Sequence, residues 1–451
     1  MSRYTVRHNI GTTQWTGGTR PDPVAAVDLT GGWRPWLWLG APAPGGLALP
    51  PAQPSRAWMY SPRGVFVGDD TVVVADSGNH RVLIWHGMPD ADEQPADVVL
   101  GQPDGESEGR AAGGRGPERG MNLPTGVLVH EGRLIVADAW HHRVLVWDSV
   151  PDRDDVAPDL VLGQPDASSV QENRGGHCSA STLYWPFGIA VIGSEFWVAD
   201  TGNRRVLGWR GGIPDPDQPA DIVLGQPDGA ARDENRGGPA GPASFRWPHD
   251  ITGTDDLLLV ADAGDHRILG WSPVPDADRE ADMVLGQPDF GSSEEWPYGP
   301  HTGDRFRFPY AVCLTGGQER SDSGIGSGGQ ERSDSGIGSG GQERSDSGIG
   351  SGGQERSDSG ISPGPGTPDV LAVADTANNR VLLWDSVPTD NRAADHVLAQ
   401  PDFASNGENR WSSVRPDTLC WPYGLSMRGD TLAVADSGNN RVMLWRRGGA
   451  G

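Results

Sequence analysis

A phrase of the form Val-Ala-Asp-Ser-Gly-Asn-His-Arg-Val-Leu-Ile-Trp, at residues 74–85, returns in variant form five more times, starting at Val136, Val198, Val260, Val373 and Val434. Each copy keeps an Asp at its third place, from Asp76 to Asp436, an Arg at its eighth, from Arg81 to Arg441, and a Trp at its twelfth, from Trp85 to Trp445. Repetition at this period makes one stacked body out of a 451-residue chain that length alone would divide into several domains.

Two further phrases share the period. Val-Leu-Gly-Gln-Pro-Asp stands at 99–104, 161–166, 223–228 and 284–289, with Val-Leu-Ala-Gln-Pro-Asp at 397–402. A Pro-x-Gly phrase or a variant of it begins at Pro62, Pro124, Pro186, Pro248, Pro309 and Pro422. The spacing predicts four short strands per unit: one after Pro-x-Gly, one ending in Val-Ala-Asp, one of the Arg-Val-Leu-x-Trp type and one ending in Leu-Gly-Gln. Four-stranded units repeated around a ring make a β-propeller. Six units supply strands one to three, but only five are followed by a fourth strand. The missing copy is residues 36–40, so the expected fold is all-β: six four-stranded blades, closed by an N-terminal strand beside Arg441-Val442-Met443-Leu444-Trp445. An open ring would leave a blade edge unpaired.

The expected domain plan is an N-terminal extension over 1–35 and a propeller over 36–446. A low-complexity, disordered insert over 315–366 falls within blade five, where a Gly-Gln-Glu-Arg-Ser-Asp-Ser-Gly-Ile-Gly-Ser-Gly unit recurs with almost no apolar content.

The formal net charge is -25, with Arg as the basic residue and no Lys, which disfavours nucleic acid and anionic membranes. Three separated cysteines, Cys178, Cys313 and Cys420, make no disulfide framework or zinc motif. The first residues hold no apolar signal region, and no long apolar run occurs, so a monomeric cytoplasmic protein without a membrane span is expected.

The repeated phrases, seen in Val-Ala-Asp-Ser-Gly-Asn-His-Arg-Val at 74–82 and in the Pro-x-Gly lead-in, resemble the NHL repeat over roughly residues 36–446. That resemblance implies a six-bladed propeller. It also implies a choice of roles: protein-binding scaffolds, RNA binders, and related enzymes with a metal in the central channel.

In a propeller the first strand of each blade lines the channel. The residues after the Pro-x-Gly prolines are Arg63, Thr125, Phe187, His249, Tyr310 and Tyr423, and Asp250 follows His249 where other units mostly have Gly. A calcium centre needs several converging oxygens and a zinc centre about three histidines. Strand alternation sends His249 and Asp250 to opposite faces. This set suits stacking and hydrogen bonding better than metal binding, and no cofactor is expected. The long loops entering three blades carry Glu-Asn-Arg, placing Arg174, Arg236 and Arg410 as further candidate contacts. His80, His142 and His266 stand where other units have Arg or Asn, which reads as a surface turn position.

The function expected is a non-catalytic scaffold that binds a protein or peptide on the face of the inter-blade loops. The alternative is a lactonase- or lyase-like propeller enzyme with a channel metal.

Overall fold

The structure, a computed structural model, describes residues 28–40, 54–295, 301–315 and 370–448. Residues 316–366, which hold the expected insert, and residues 1–27 of the expected extension lie outside the described residues.

Among the described residues, twenty-four strands form six four-stranded antiparallel sheets. The blade built from the opening phrase runs Gly64–Val67, Thr71–Asp76, Arg81–His86 and Val98–Leu100 in spatial as well as chain order. The exception is the last blade, where Pro422–Arg428, Thr431–Asp436 and Arg441–Arg447 are completed by the N-terminal strand Trp33–Gly40. Trp33 faces Arg447 and Gly40 faces Arg441 in an antiparallel register. The closing strand therefore starts at Trp33, ahead of the expected residue 36. The chain before it is also anchored, because Val397 donates its N–H to the Leu29 carbonyl at 2.9 Å.

Burial explains why these strands read so clearly. Val72, Val73, Val74 and Ala75 are all fully buried, one face against each neighbouring blade. The core is thus a ring of layers between blades. Phe66, Val73 and Ile84 of one blade share a layer with Leu134, Val136 and Trp147 of the next.

The recurring Asp and Arg form a buried pair. Arg81 Nε donates to Asp76 Oδ2 at 2.7 Å, and both side chains are fully buried. The other Asp76 oxygen accepts the Tyr60 N–H, and Asn79 Nδ2 adds a bond to Oδ2. The Arg81 fork continues to the carbonyls of Gly105, Ser55 and Trp58, locking the loop that enters the blade. Asp200 with Arg205 and Asp375 with Arg380 repeat the arrangement. A buried charge pair is tolerated when its remaining polar atoms are satisfied, as they are here. Arg441 is the exception. Its Nη1 has no partner among the described residues, and the stretch after Gly40 that corresponds to the segment holding Gly105 lies outside them.

The Gln-Pro-Asp phrase has a similar explanation. Gln102 Nε2 ties the carbonyl of Asn79, in the turn, to that of Gly109, in the following loop. Asp104 Oδ1 caps the same loop by accepting the N–H groups of Glu106 and Ser107. The turn between strands two and three is a 3-10 turn, Ser77–Asn79, followed by His80 in the left-handed region. It is not a tight hairpin, and its left-handed residue is the variable one rather than the glycine.

Candidate functional site

The six first strands surround the central channel with their backbones in close approach. A Cβ on Gly64 would fall 1.8 Å from the Thr125 carbonyl oxygen, and one on Gly126 or Gly424 would lie 2.4 or 2.5 Å from the carbonyl oxygen of the adjacent strand. Glycine is required there by contact between neighbouring backbones. Asp250 stands in this glycine ring, and its Oδ2 accepts the Val312 N–H of the next blade at 3.0 Å.

Just outside the glycine ring, the residues after each proline form a continuous collar. Phe187 packs at a tilt on His249 with ring centroids 4.4 Å apart, while His249 stacks on Tyr310 at 4.5 Å and Tyr310 on Tyr423 at 4.4 Å. The Arg63 guanidinium lies 5.0 Å from the Tyr423 ring centroid. Thr125 completes the circle and donates its hydroxyl to the backbone carbonyls of Pro186 and Phe187. Offset aromatic pairs at these separations are each worth roughly 0.5–1.5 kcal/mol beyond their buried area.

A bulge positions this collar. The register of the fourth blade shifts between Pro248 and Asp250, and the same irregularity follows Pro124, Pro186, Pro309 and Pro422. A bulge suspends strand alternation and re-aims a side chain. His249 and Asp250 therefore both line the channel instead of facing opposite ways.

The channel cavity is about 70 Å³. At ~10–15 Å³ per water it holds about five waters, well short of the several hundred Å³ that a drug-sized guest needs. Burial pushes the Asp250 carboxyl up to about 7, opposed by the N–H groups of Val312 and Ile251. Burial drives His249 down to about 4, so its ring is neutral at physiological pH. Cys313 lines the same channel, and its thiol is pushed far up by burial and by Asp250. His249, Asp250 and Cys313 are the channel's metal-ligating residue types, but among the described residues no three His, Cys, Asp or Glu side chains are grouped to hold an ion.

Arg174, Arg236 and Arg410 do not join the collar. Each follows an Asn in the left-handed region and turns its guanidinium back onto the protein. Arg174 pairs with Asp217 at 2.6 Å, Arg236 with Asp278 at 2.6 Å and Arg410 with Asp417 at 2.8 Å. The Asn before Arg174 and the Asn before Arg410 are tied to the turns: Asn173 exchanges amide bonds with Asn203, and Asn409 with Asn439. The Glu-Asn-Arg phrase is thus the staple of these loops in the unbound protein.

The variable position before the repeat Arg is not a surface turn. His266 is fully buried, and His80 and His142 are half-buried. Each accepts a backbone N–H from the next blade.

Sequence reasoning missed the outer aromatic rim. Around the collar, Trp140 stacks on Trp185 at 5.5 Å and Trp247 on Phe308 at 6.2 Å. Tyr60, Trp140 and Trp421 are 53%, 45% and 40% exposed, and Trp411, at the end of a Glu-Asn-Arg loop, is 80% exposed. The signal was present as the residue before each Pro-x-Gly proline, which is aromatic in Trp185, Trp247, Phe308 and Trp421.

The model of the NHL repeat matches residues 59–85. No curated protein matches the chain. Among solved structures, a structural genomics protein of unknown function from Bacteroides thetaiotaomicron VPI-5482 is similar at 10% identity and a TM-score of 0.45, over 92% of this chain and 75% of that one. An auxiliary nutrient binding protein from the same organism is similar at 8% identity and a TM-score of 0.48, over the same shares. A nidogen/laminin complex is similar at 13% identity and a TM-score of 0.37, over 75% of this chain and 81% of that one. No helix among the described residues is long and apolar enough to cross a membrane. Residues 59–85 thus match the NHL repeat, and the chain folds as a six-bladed β-propeller of four-stranded sheets closed by its N-terminal strand.

Proposed function

We propose that this propeller is a non-catalytic scaffold that receives a protein or peptide on the face carrying the collar and the inter-blade loops. The supporting observation is the stacked arc from Phe187 through His249, Tyr310 and Tyr423 to Arg63, set inside a rim of exposed aromatic side chains. Exposed Trp, Tyr and Arg that are already held rigid are the residue types that dominate binding energies at interfaces. They lose little conformational entropy on binding. The narrow channel favours recognition at its mouth over turnover within it. On this reading Arg174, Arg236 and Arg410 shape the loops around the binding face.

The test compares two multiple-substitution variants for partner capture. One replaces Phe187, Tyr310 and Tyr423 with Ala. The other alters the opposite face at Asp152, Asp215 and Asp276. Partner loss confined to the first variant, with both variants folded, is the expected result. Equal capture by both variants contradicts the proposal.

A further inference from the structure

Among the described residues, Arg63 is the collar's one cation, and the fold gives its guanidinium no carboxylate partner. The six repeat arginines are buried against aspartates, and Arg174, Arg236 and Arg410 are paired within or across their loops. Arg63 by contrast forms no ion pair among the described residues, and its Nε is buried without a hydrogen-bond partner. Its guanidinium lies over the face of the Tyr423 ring.

We propose that Arg63 is the recognition point for a single carboxylate, presented by a Glu or Asp side chain of a peptide lying across this face. The inference rests on the scaffold reading and names the chemistry of the partner. The guanidinium presents a planar fork that matches a carboxylate in two parallel bonds. Its neighbours around the collar are Thr125 and Tyr423, neither of them an acid, Tyr423 presents its ring to the guanidinium, and the channel carboxyl of Asp250 is tied to the Val312 N–H. The channel cavity of about 70 Å³, which Arg63 lines, offers room for a carboxylate beside the guanidinium. The chain's charge of -25 does not prevent this, because charges beyond about 8–10 Å are screened at physiological ionic strength.

The experiment is a selection of short random displayed peptides on the full chain. One library has blocked C-termini and a second has free C-termini. The expected result is recovery from the blocked library of peptides sharing one Glu or Asp. Its replacement by Gln or Asn in the peptide should weaken binding about tenfold or more, as for loss of a charge-assisted bond. Arg63→Met should remove that discrimination, and Arg63→Lys should restore part of it. Circular dichroism establishes that each variant is folded, and Arg63→Gln replaces Arg63→Met if the latter is not.

Ligands without a shared acidic residue, or discrimination that survives Arg63→Met, would overturn the carboxylate assignment and leave the scaffold reading standing. Ligands from the free-terminus library alone would overturn the side-chain source. No ligands from either library would count against the scaffold reading as well.

Discussion

His142 accepts the backbone N–H of Trp185 on its Nδ1 at 3.3 Å, across the boundary between adjacent blades. The same bond joins Leu123 to His80, Phe308 to His266, Trp421 to Asn379 and Ser61 to Asn440. In all five cases both residues have positive φ, the acceptor near 55° and the donor near 50°. The sixth boundary has Arg204, which offers no acceptor, and there Trp247 donates to Asp262 and does not have positive φ. A non-glycine residue at positive φ costs about 1–3 kcal/mol and persists where its surroundings fix it. These bonds hold the donor residue there, since Arg204 keeps φ 55° without one whereas Trp247 does not have positive φ, and they clip each blade to the next.

A histidine can serve as this acceptor only with Nδ1 unprotonated. Burial lowers His80 and brings His142 and His266 from the ordinary 6.5 down to about 4. The unfolded chain therefore takes up these protons first as pH falls. The stability that the clips contribute is full above pH 6.5 and is lost as pH falls toward 4. Replacing all three histidines with Asn, the residue used at two other boundaries, keeps the acceptor and removes the titration. Calorimetry should show little change at pH 8 and a shallower loss of Tm between pH 6.5 and 4.

Asp250 gives the opposite sign. Its folded carboxyl sits at about 7 against an ordinary 3.8, so it weakens the fold increasingly as pH rises through that window. Water in the channel moderates the effect, because Asp250 is only half-buried. Asp250→Asn retains the oxygen that accepts from Val312. It should raise Tm at pH 8 and leave it nearly unchanged at pH 4.

The buried pair Asp200–Arg205 makes a different prediction. Removing one partner leaves a buried charge uncompensated, at a cost of about 3–5 kcal/mol. Asp200→Ala should show a loss of that order in denaturant unfolding, whereas Arg236→Ala, which breaks a half-exposed pair, should cost less than about 1 kcal/mol.

Closure of the ring depends on Leu39, fully buried in the layer with Val442 and Leu444. Leu39→Asp places a charge in that layer. Amide exchange should accelerate in 441–447 ahead of the other third strands. Uniform exchange across all six blades would argue against a seam at this strand.

The architecture was legible because each layer repeats: a Val-Ala-Asp strand is buried on both faces, and six of them against five closing strands locate the seam. The clip was not legible. His80, Asn379 and Arg204 look like free variation in sequence, and what His and Asn share is an acceptor and tolerance of positive φ. The ion pairs of the Glu-Asn-Arg arginines were hidden for a related reason. Arg236 meets Asp278, and that proximity depends on where a distant connector folds back. Alternation separated His249 from Asp250 because the bulge after Pro248 leaves no mark in composition. The collar itself was placed correctly by position after the proline, but its stacking and the unspent state of Arg63 required the geometry.

We propose the collar as the binding surface. The most direct measurement places a photo-crosslinking residue at Tyr310 or, separately, at Asp215 on the opposite face, and compares partner adducts from the intact protein. The account predicts adducts from the Tyr310 position that disappear when Phe187 and Tyr423 are replaced with Ala. Adducts from Asp215 alone, or adducts at Tyr310 unaffected by those substitutions, would contradict it.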